Sequence, residues 1–174
     1  MKKLLLFPLI ALFCFVAQAQ LIMIDSETGD YRYEDVVSVE GISQDQIKER
    51  AQKWMQLYYQ PIDSIKIDSS SVSQKNTIRF NWKFIKKSIP IELFFDVTVK
   101  CKDNRYKYDF SNFEIGKITN GHIDGYDLKI YIERFPTRYQ IFIEEPVDTE
   151  MTKAIESLEY FVTHGKLNAD EENW

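Results

Sequence analysis

Three consecutive segments in the middle of the chain alternate apolar and polar residues. They span residues 77–84, 91–101 and 105–110, and in each the apolar side chains occupy every second position. Successive side chains of a β-strand point to opposite faces, so this period predicts three strands that share one apolar face. No helical pattern separates them, which favours an antiparallel meander over a parallel sheet with crossover helices.

The turn between the last two segments supports the same interpretation. Asp103-Asn104 is a suitable two-residue hairpin turn, because both residue types tolerate a positive φ. A turn of this length fixes the register and brings apolar residues opposite one another. The expected pairs are Lys102 with Arg105, Cys101 with Tyr106, Val99 with Tyr108 and Val97 with Phe110, with Thr98 opposite Asp109 on the other face.

An amphipathic helix is predicted before the meander, over about residues 44–60. Ser43 and Gln46 have the spacing of a capping box at its start, and Pro61 prevents its continuation. Apolar residues recur at spacings of four, three and four positions, which places them on one helical face. These residues are Ile47, Ala51, Trp54 and Tyr58.

The remaining patterns complete the set of expected elements. Residues 31–41 and 62–67 are predicted to be strands, and the polar segment 68–76 is predicted to be a loop. Apolar residues at every second position predict two more strands, at 128–132 and 139–143. Asp148 or Thr149 is expected to cap a second amphipathic helix that ends at Gly165.

Together these elements predict an α+β fold. The expected architecture is a curved antiparallel sheet with two amphipathic helices packed on one face. Residues 20–165 have the length of one ordinary domain and contain no repeat or linker, while residues 166–174 form a polar tail.

Residues 1–19 have the pattern of a cleaved export signal. Lys2 and Lys3 precede an apolar run over residues 4–16, and Ala17-Gln18-Ala19 supplies the small side chains that signal peptidase requires. The run is shorter than the roughly 20 residues that a transmembrane helix needs. We therefore predict cleavage between Ala19 and Gln20, export to the periplasm or beyond the cell, and no transmembrane segment in the mature chain.

The charge and cysteines of the mature chain narrow the classes of function. Loss of Lys2 and Lys3 without any acidic residue changes the formal net charge from −5 to −7. An acidic domain is a poor candidate for nucleic-acid binding, which requires a basic face. Cys14 lies within the signal, so Cys101 remains alone, cannot form an internal disulfide, and is expected to be a packed thiol.

Several of these residues resemble a known family. They are Tyr31-x-Tyr33, Gly41-Ile-Ser43, a helix ending Arg50-Ala51-x-x-Trp54, and the hairpin Lys102-Asp-Asn-Arg105-Tyr106-x-Tyr108. Over about residues 29–113 the chain resembles an uncharacterised bacterial domain family with a fold like the TATA-binding protein, found mostly in exported proteins of Bacteroidetes. The resemblance implies the fold and no catalytic residue, because function depends on sites and not on folds.

Nucleic-acid binding is disfavoured even for such a fold. The TATA-binding protein uses basic and wedging apolar residues on its sheet. Here the face opposite the predicted core interleaves basic with acidic residues, so that much of the attraction to phosphate would cancel. The residues are Arg79, Lys83, Arg105 and Lys107 with Glu92, Asp96 and Asp109.

Candidate catalytic and metal-binding residues are few. His122 and Asp124 lie in a glycine-containing segment, but no cysteine or second histidine has metal-ligand spacing, and a loop histidine is the favoured interpretation. The neighbouring carboxylates of Glu34-Asp35 and of Glu144-Glu145 would point to opposite faces of a strand. We predict no metal, no cofactor and no enzymatic activity.

The aromatic content is the unusual feature of the composition. Phe94, Tyr131 and Phe142 interrupt the polar faces of their predicted strands, so they either form a second apolar surface or are buried where the 128–143 pair folds back. The leading hypothesis is an exported, non-enzymatic domain that binds another envelope protein. The alternative is a small-ligand or glycan-binding module that uses Tyr31 and Tyr33, or the three aromatics above. Oligomeric state is left open.

Overall fold

The computed structural model describes residues 23–25, 28–84, 87–119 and 122–166. The predicted signal peptide, with Ala17, Ala19 and Gln20, and the tail from residue 167 lie outside these residues. Within them the chain forms eight strands and three helices. The strands are β1 (Met23–Ile24), β2 (Tyr31–Ser38), β3 (Gln60–Pro61), β4 (Lys66–Ile67), β5 (Ser71–Phe84), β6 (Lys87–Lys102), β7 (Arg105–Thr119) and β8 (His122–Asp127). The helices are α1 (Gln44–Tyr58), α2 (Leu128–Glu133) and α3 (Thr137–His164).

The strands form one antiparallel sheet. Its order is β1-β2-β7-β6-β5-β3, with β4 also paired to β5 and β8 to β7. One edge of β7 pairs along its length with β6, and the other edge pairs first with β2 and then with β8. The meander predicted from the alternating pattern is therefore the centre of the sheet.

The hairpin between β6 and β7 has the predicted register. Cys101 pairs with Tyr106, Val99 with Tyr108 and Val97 with Phe110, and Thr98 lies opposite Asp109. Asn104 has a φ of 63°, as the turn requires. Farther along, the register shifts between Phe94 and Asp96, because Asn112 and Phe113 of β7 both lie opposite Phe95. This bulge allows Phe113 to face the core although it follows Phe110 by three positions.

Helix α1 begins as predicted and ends slightly earlier than expected. Ser43 and Gln46 form the capping box, and Ile47, Ala51 and Trp54 are buried. Tyr59 is the C-cap and has an extended conformation, at φ −118° and ψ 160°. The helix thus ends two residues before the predicted limit, because Pro61 disfavours helical geometry in the residue that precedes it.

Helices α1 and α3 cover the same face of the sheet and contact each other. The Trp54 indole Nε1 donates a hydrogen bond to Ser157 Oγ at 3.1 Å, and both residues are buried. The Arg50 guanidinium donates to the Val162 and Thr163 carbonyls at 2.6 and 2.9 Å. These carbonyls belong to the last turn of α3, where helix geometry leaves them without partners.

The prediction of a loop over residues 68–76 is wrong from Ser71 onward, whereas residues 68–70 do lie between strands. Strand β5 begins at Ser71 and pairs with β6 along its whole length. Val72, Gln74 and Asn76 alternate on the core face and are buried, so the period of two is present although two of the three residues are polar. Pairing with β6 therefore overrides the low strand propensity of this polar segment.

The two strands predicted at 128–132 and 139–143 are also wrong, because both segments are helical. Asp127 caps α2 by accepting a hydrogen bond from the Ile130 backbone N–H at 3.0 Å. Leu128 and Ile132 are buried, whereas Ile130 between them is exposed, as helical spacing requires. Helix α3 starts at Thr137 instead of at the expected Asp148 or Thr149, and runs through Pro146 to the predicted end at Gly165.

These differences leave the predicted fold class intact. The chain has an α+β fold with an antiparallel sheet and its two long helices on one face. No helix in the described part of the chain is long and apolar enough to cross a membrane.

Candidate functional site

Tyr31 and Tyr33 attach helix α3 to strand β2. Their hydroxyls donate hydrogen bonds to Glu144 Oε1 at 2.8 Å and to Asp148 Oδ1 at 3.3 Å. Residues two apart on a strand share a face, and residues four apart on a helix share a face, so the two pairs form side by side. Burial raises the pKa of both phenols, and the partner carboxylates raise it further. The two tyrosines therefore stay protonated and have a structural role.

Phe94 is fully buried, although it lies on the other side of the sheet from Leu93 and Phe95. It is opposite Thr77 on β5 and Glu114 on β7. Its exposed fraction is 0%, and it does not belong to the main core cluster. Of the two alternatives that the sequence left for this aromatic residue, the structure thus favours burial.

Tyr131 and Phe142 are closer to the surface. Tyr131 is half-buried and packs edge-on against Phe135, with ring centroids 5.5 Å apart. Phe142 is 44% exposed, whereas Ile143 and Val147 of the same helix are buried. The five aromatic residues proposed for binding therefore do not share one surface, and only Phe142 is strongly exposed.

A different group of exposed apolar side chains lies on the consecutive elements β8, α2 and the start of α3. We call this group the α2–α3 apolar surface. Its members are Tyr126, Ile130, Ile141 and Phe142, which are 44–54% exposed. The sequence analysis missed it because segments 128–132 and 139–143 were interpreted as strands, which would have placed these isoleucines with buried neighbours. The Asp127-x-x-Ile130 cap was the local signal for helix.

Two arginines of this part of the chain lie over aromatic rings. The Arg134 guanidinium lies 4.2 Å from the Tyr126 ring centroid, and that of Arg138 lies 4.7 Å from the Tyr139 ring centroid. Neither arginine forms an ion pair with another described residue. The surface thus combines exposed apolar groups with cations, within a chain whose net charge is negative.

The face of the sheet that no long helix covers carries ion pairs across its strands. Lys75 contacts Glu114 at 2.7 Å, and Arg79 contacts Glu92 at 2.7 Å. Arg32 contacts Asp109, and Lys107 contacts Glu34 at 2.9 Å. The mixture of charges predicted for this face is therefore arranged as neighbouring pairs, so its cations are largely compensated.

A polar cavity of about 260 Å³ lies beside Tyr31. It is formed where the β1–β2 hairpin meets the bulge of β7. Besides Tyr31, its walls include Asp30, Arg32, Ser111 and Asn112. Its walls are mainly polar, unlike most ligand pockets, which are larger and mostly apolar.

The residues weighed for catalysis or metal binding do not form a cluster. The prediction of a loop around His122 is wrong, because His122 begins β8 and pairs with Thr119, while Asp124 pairs with Lys117. Glu34 is in ion pairs, Asp35 accepts a hydrogen bond from the Val36 N–H, and Glu144 accepts one from Tyr31. Among the described residues, no group of three or more histidine, cysteine or acidic side chains could hold a metal ion.

Comparisons with known proteins agree with the observed fold. Residues 33–115 match the family described as a domain of unknown function (DUF4468) with TBP-like fold. A TBP-like protein from Parabacteroides distasonis aligns over 81% of this chain and 97% of its own, at 10% identity and a TM-score of 0.62. A DUF4468 family protein from Bacteroides ovatus aligns over 82% and 91%, at 14% identity and a TM-score of 0.56. At these identities the two structures establish similarity of fold alone. No curated protein matches the chain.

Proposed function

We propose that this protein, whose residues 33–115 match the DUF4468 family with TBP-like fold, is an exported, non-enzymatic domain that binds another envelope protein. The observation that carries the proposal is the α2–α3 apolar surface. Monomeric proteins seldom expose adjoining large apolar side chains without a binding role. Tyrosine, phenylalanine and arginine are also the residue types enriched in protein interfaces.

The chemistry of this surface indicates the kind of partner. Arg134 and Arg138 border apolar groups, so a complementary surface has an apolar centre and carboxylates at its rim. The net negative charge of the chain would repel an acidic partner from the rest of the surface. Attraction to such a partner is therefore confined to the α2–α3 apolar surface and its two arginines.

Site-directed variants with affinity capture test this proposal. Ile130→Asp and Phe142→Asp place a charge in the surface, and Leu57→Asp changes an equally exposed apolar residue on α1 as the control. After cross-linking in native envelopes, we expect a specific protein to be recovered with the original chain and with Leu57→Asp, and to be lost from the other two. Recovery of this protein alone, or of the same partner with all variants, would contradict the proposal.

Export is a separate part of the proposal, supported by the pattern of residues 1–19. Amino-terminal sequencing of the protein from envelope fractions should give Gln20 as the first residue. Ala19→Leu, which places a bulky side chain in the cleavage site, should leave the longer precursor. A chain that keeps Lys2 and Lys3 in the original protein would refute cleavage.

A small-ligand function is the alternative, and the cavity beside Tyr31 favours it. Hydroxyl, amide and charged groups in its walls could bind a small polyol or sugar. A thermal-shift screen against envelope sugars and small metabolites should then raise the Tm, and Ser111→Val should reduce that rise. An unchanged Tm with every compound would count against this function.

A further inference from the structure

Helix α3 has one apolar patch on its exposed side, near its start. Ile141 is 46% exposed and Phe142 is 44% exposed, whereas Ile143 and Val147 are buried. The other exposed residues of this helix are all polar or charged. An apolar contact made through the exposed side of α3 is therefore centred on the two neighbouring positions 141 and 142.

Two residues of opposite charge border this patch, one at each end. Arg138 precedes Ile141 by three positions, and Glu145 follows Phe142 by three positions. Both charged residues are exposed, and spacings of three and four positions place them on the same side of the helix as the patch. Along the helix, this side therefore presents a cation, two apolar residues and an anion.

Neither charged residue has an ionic partner in the part of the chain that the structure describes. The Arg138 guanidinium lies 4.7 Å from the centroid of the Tyr139 ring, and a stacked guanidinium keeps N–H groups at its edge that can donate to a carboxylate. Elsewhere on α3, Lys153 contacts Glu150 at 2.7 Å. Arg138 and Glu145 thus remain available for ion pairs with another molecule.

A second copy of this helix, running in the opposite direction, matches the arrangement. A two-fold axis through the midpoint between Ile141 and Phe142 exchanges the positions three residues before and after them. Arg138 of each copy then lies opposite Glu145 of the other, and each Ile141 lies opposite a Phe142. A parallel pair would instead place like charges together. The antiparallel contact therefore has an apolar centre with an ion pair on each side.

We propose that two copies of this protein associate through residues 138–145 of α3, packed antiparallel about a two-fold axis between Ile141 and Phe142. The net charge of −5 opposes contact between copies elsewhere, so the local match of charges selects this orientation. The contact involves few side chains in each copy, which is typical of a weak and reversible association.

The dimer also has a consequence for the α2–α3 apolar surface. Ile141 and Phe142 belong to that surface, so a second copy covers part of it until an envelope partner displaces the copy. Self-association would then regulate access to the surface. This regulatory role rests on the proposed function, whereas the dimer itself does not.

Charge reversal tests the dimer. Sedimentation velocity of the purified protein at concentrations up to about 1 mM should show a monomer–dimer equilibrium that shifts toward the dimer as concentration rises. Arg138→Glu and Glu145→Arg each replace the two ion pairs by two contacts between like charges, so each variant should associate at least about tenfold more weakly. Both residues are exposed, and circular dichroism of each variant should match that of the original chain.

Mixing the two variants tests the pairing itself. Both charged positions are acidic in one chain and basic in the other, so a heterodimer should form with an affinity close to that of the original dimer. Leu57→Asp, which changes an exposed apolar residue on α1, should leave the original dimer unchanged. A protein that is monomeric at every concentration, single variants that associate like the original chain, or a mixture that stays monomeric would each overturn the proposal.

The experiments distinguish this inference from the proposed function. Sedimentation uses the purified protein alone, so the dimer is measured whether or not an envelope partner exists. If the protein is monomeric at every concentration but captures another protein in native envelopes, the dimer is refuted and the proposed function is supported. If the protein forms the dimer but captures no other protein, the proposed function is refuted and the dimer is supported.

Discussion

At the scale of single residues, the burial of Cys101 determines the reactivity of its thiol. Its side chain is 1% exposed, and its Sγ lies 3.7 Å from the Val99 carbonyl oxygen. Burial raises the pKa of this thiol to about 11, while Lys48 opposes the shift. Only the thiolate is a nucleophile, so the folded protein holds an unreactive cysteine.

Alkylation kinetics test this conclusion. With iodoacetamide at pH 8, Cys101 in the folded chain should react at least about 100-fold more slowly than in urea, since both access and thiolate fraction are low. Lys48→Ala should slow the reaction further, because the opposing cation is removed. Equal rates in folded and unfolded protein would show that the thiol is accessible.

At the scale of elements, the sequence predicts the secondary structure of segments in which apolar and polar residues alternate. It does not predict that of the polar segment or of the short apolar segments. The 101–106 hairpin followed from a turn and an alternating pattern that agree on one register. Segment 68–76 contains too many serines to indicate a strand, and only pairing with β6 makes it one. Leu128 and Ile132 fit both periods, because positions four apart share a face in a helix and in a strand, and only the exposed Ile130 between them distinguishes the two.

Pro146 had a similar effect on the prediction of the second helix. A proline inside a helix lacks the N–H that would bond to the carbonyl four residues earlier, so its position favours a helix that begins after it. The helix continues instead, with Ile143 and Val147 on either side of Pro146 both buried. Packing of this apolar stripe on the sheet outweighs the lost hydrogen bond.

Gly116 provides a test of the β7–β8 pairing. A Cβ at this position would lie 2.4 Å from the Asp124 carbonyl oxygen and 2.4 Å from the Gly125 Cα. Both are backbone atoms, so Gly116→Ala should lower the free energy of unfolding by about 1–3 kcal/mol, the usual effect of overpacking. Urea denaturation measures this change, and Lys117→Ala, on an exposed neighbour, is the control. Equal stability of the two variants would mean that β8 is not paired at Gly116.

At the scale of the whole molecule, the distribution of charge is more informative than its sum. The net charge of −5 was sufficient to disfavour nucleic acid, but the sequence could not show that Arg32, Lys75, Arg79 and Lys107 of the uncovered face each contact a carboxylate. It also could not show the α2–α3 apolar surface or the grouping of Asp35, Glu156 and Glu159, because each combines residues from separate elements. Such groupings depend on tertiary packing and leave no local pattern.

The group formed by Asp35, Glu156 and Glu159 predicts that the stability of the fold depends on pH. Burial and nearby carboxylates raise the folded-state pKa of Glu159, so the folded chain binds this proton more tightly than the unfolded chain. Its contribution to stability therefore falls as the pH rises from about 4.3, the unfolded value, through the raised folded value. Glu159→Gln should therefore raise the Tm at pH 7 and leave it unchanged at pH 3.

Glu49, whose pKa is shifted in the opposite direction, is the control. The hydrogen bond from Lys53 lowers the pKa of Glu49, so Glu49→Gln should not raise the Tm at pH 7. Differential scanning calorimetry across this pH range measures both variants. A lower Tm for Glu159→Gln at pH 7 would contradict this prediction, because it would mean that a cation compensates Glu159 in the folded chain.

The shared edge of β7 also has a consequence for the order of folding. The β6–β7 hairpin needs only a two-residue turn, whereas β2 must reach β7 across α1, β5 and β6, which closes a much longer loop. We therefore expect the β5–β6–β7 meander to form first and β2 to join it late. Pulse-labelled refolding should protect the Tyr108 amide before that of Tyr33. If both gained protection together, β2 would belong to the folding nucleus.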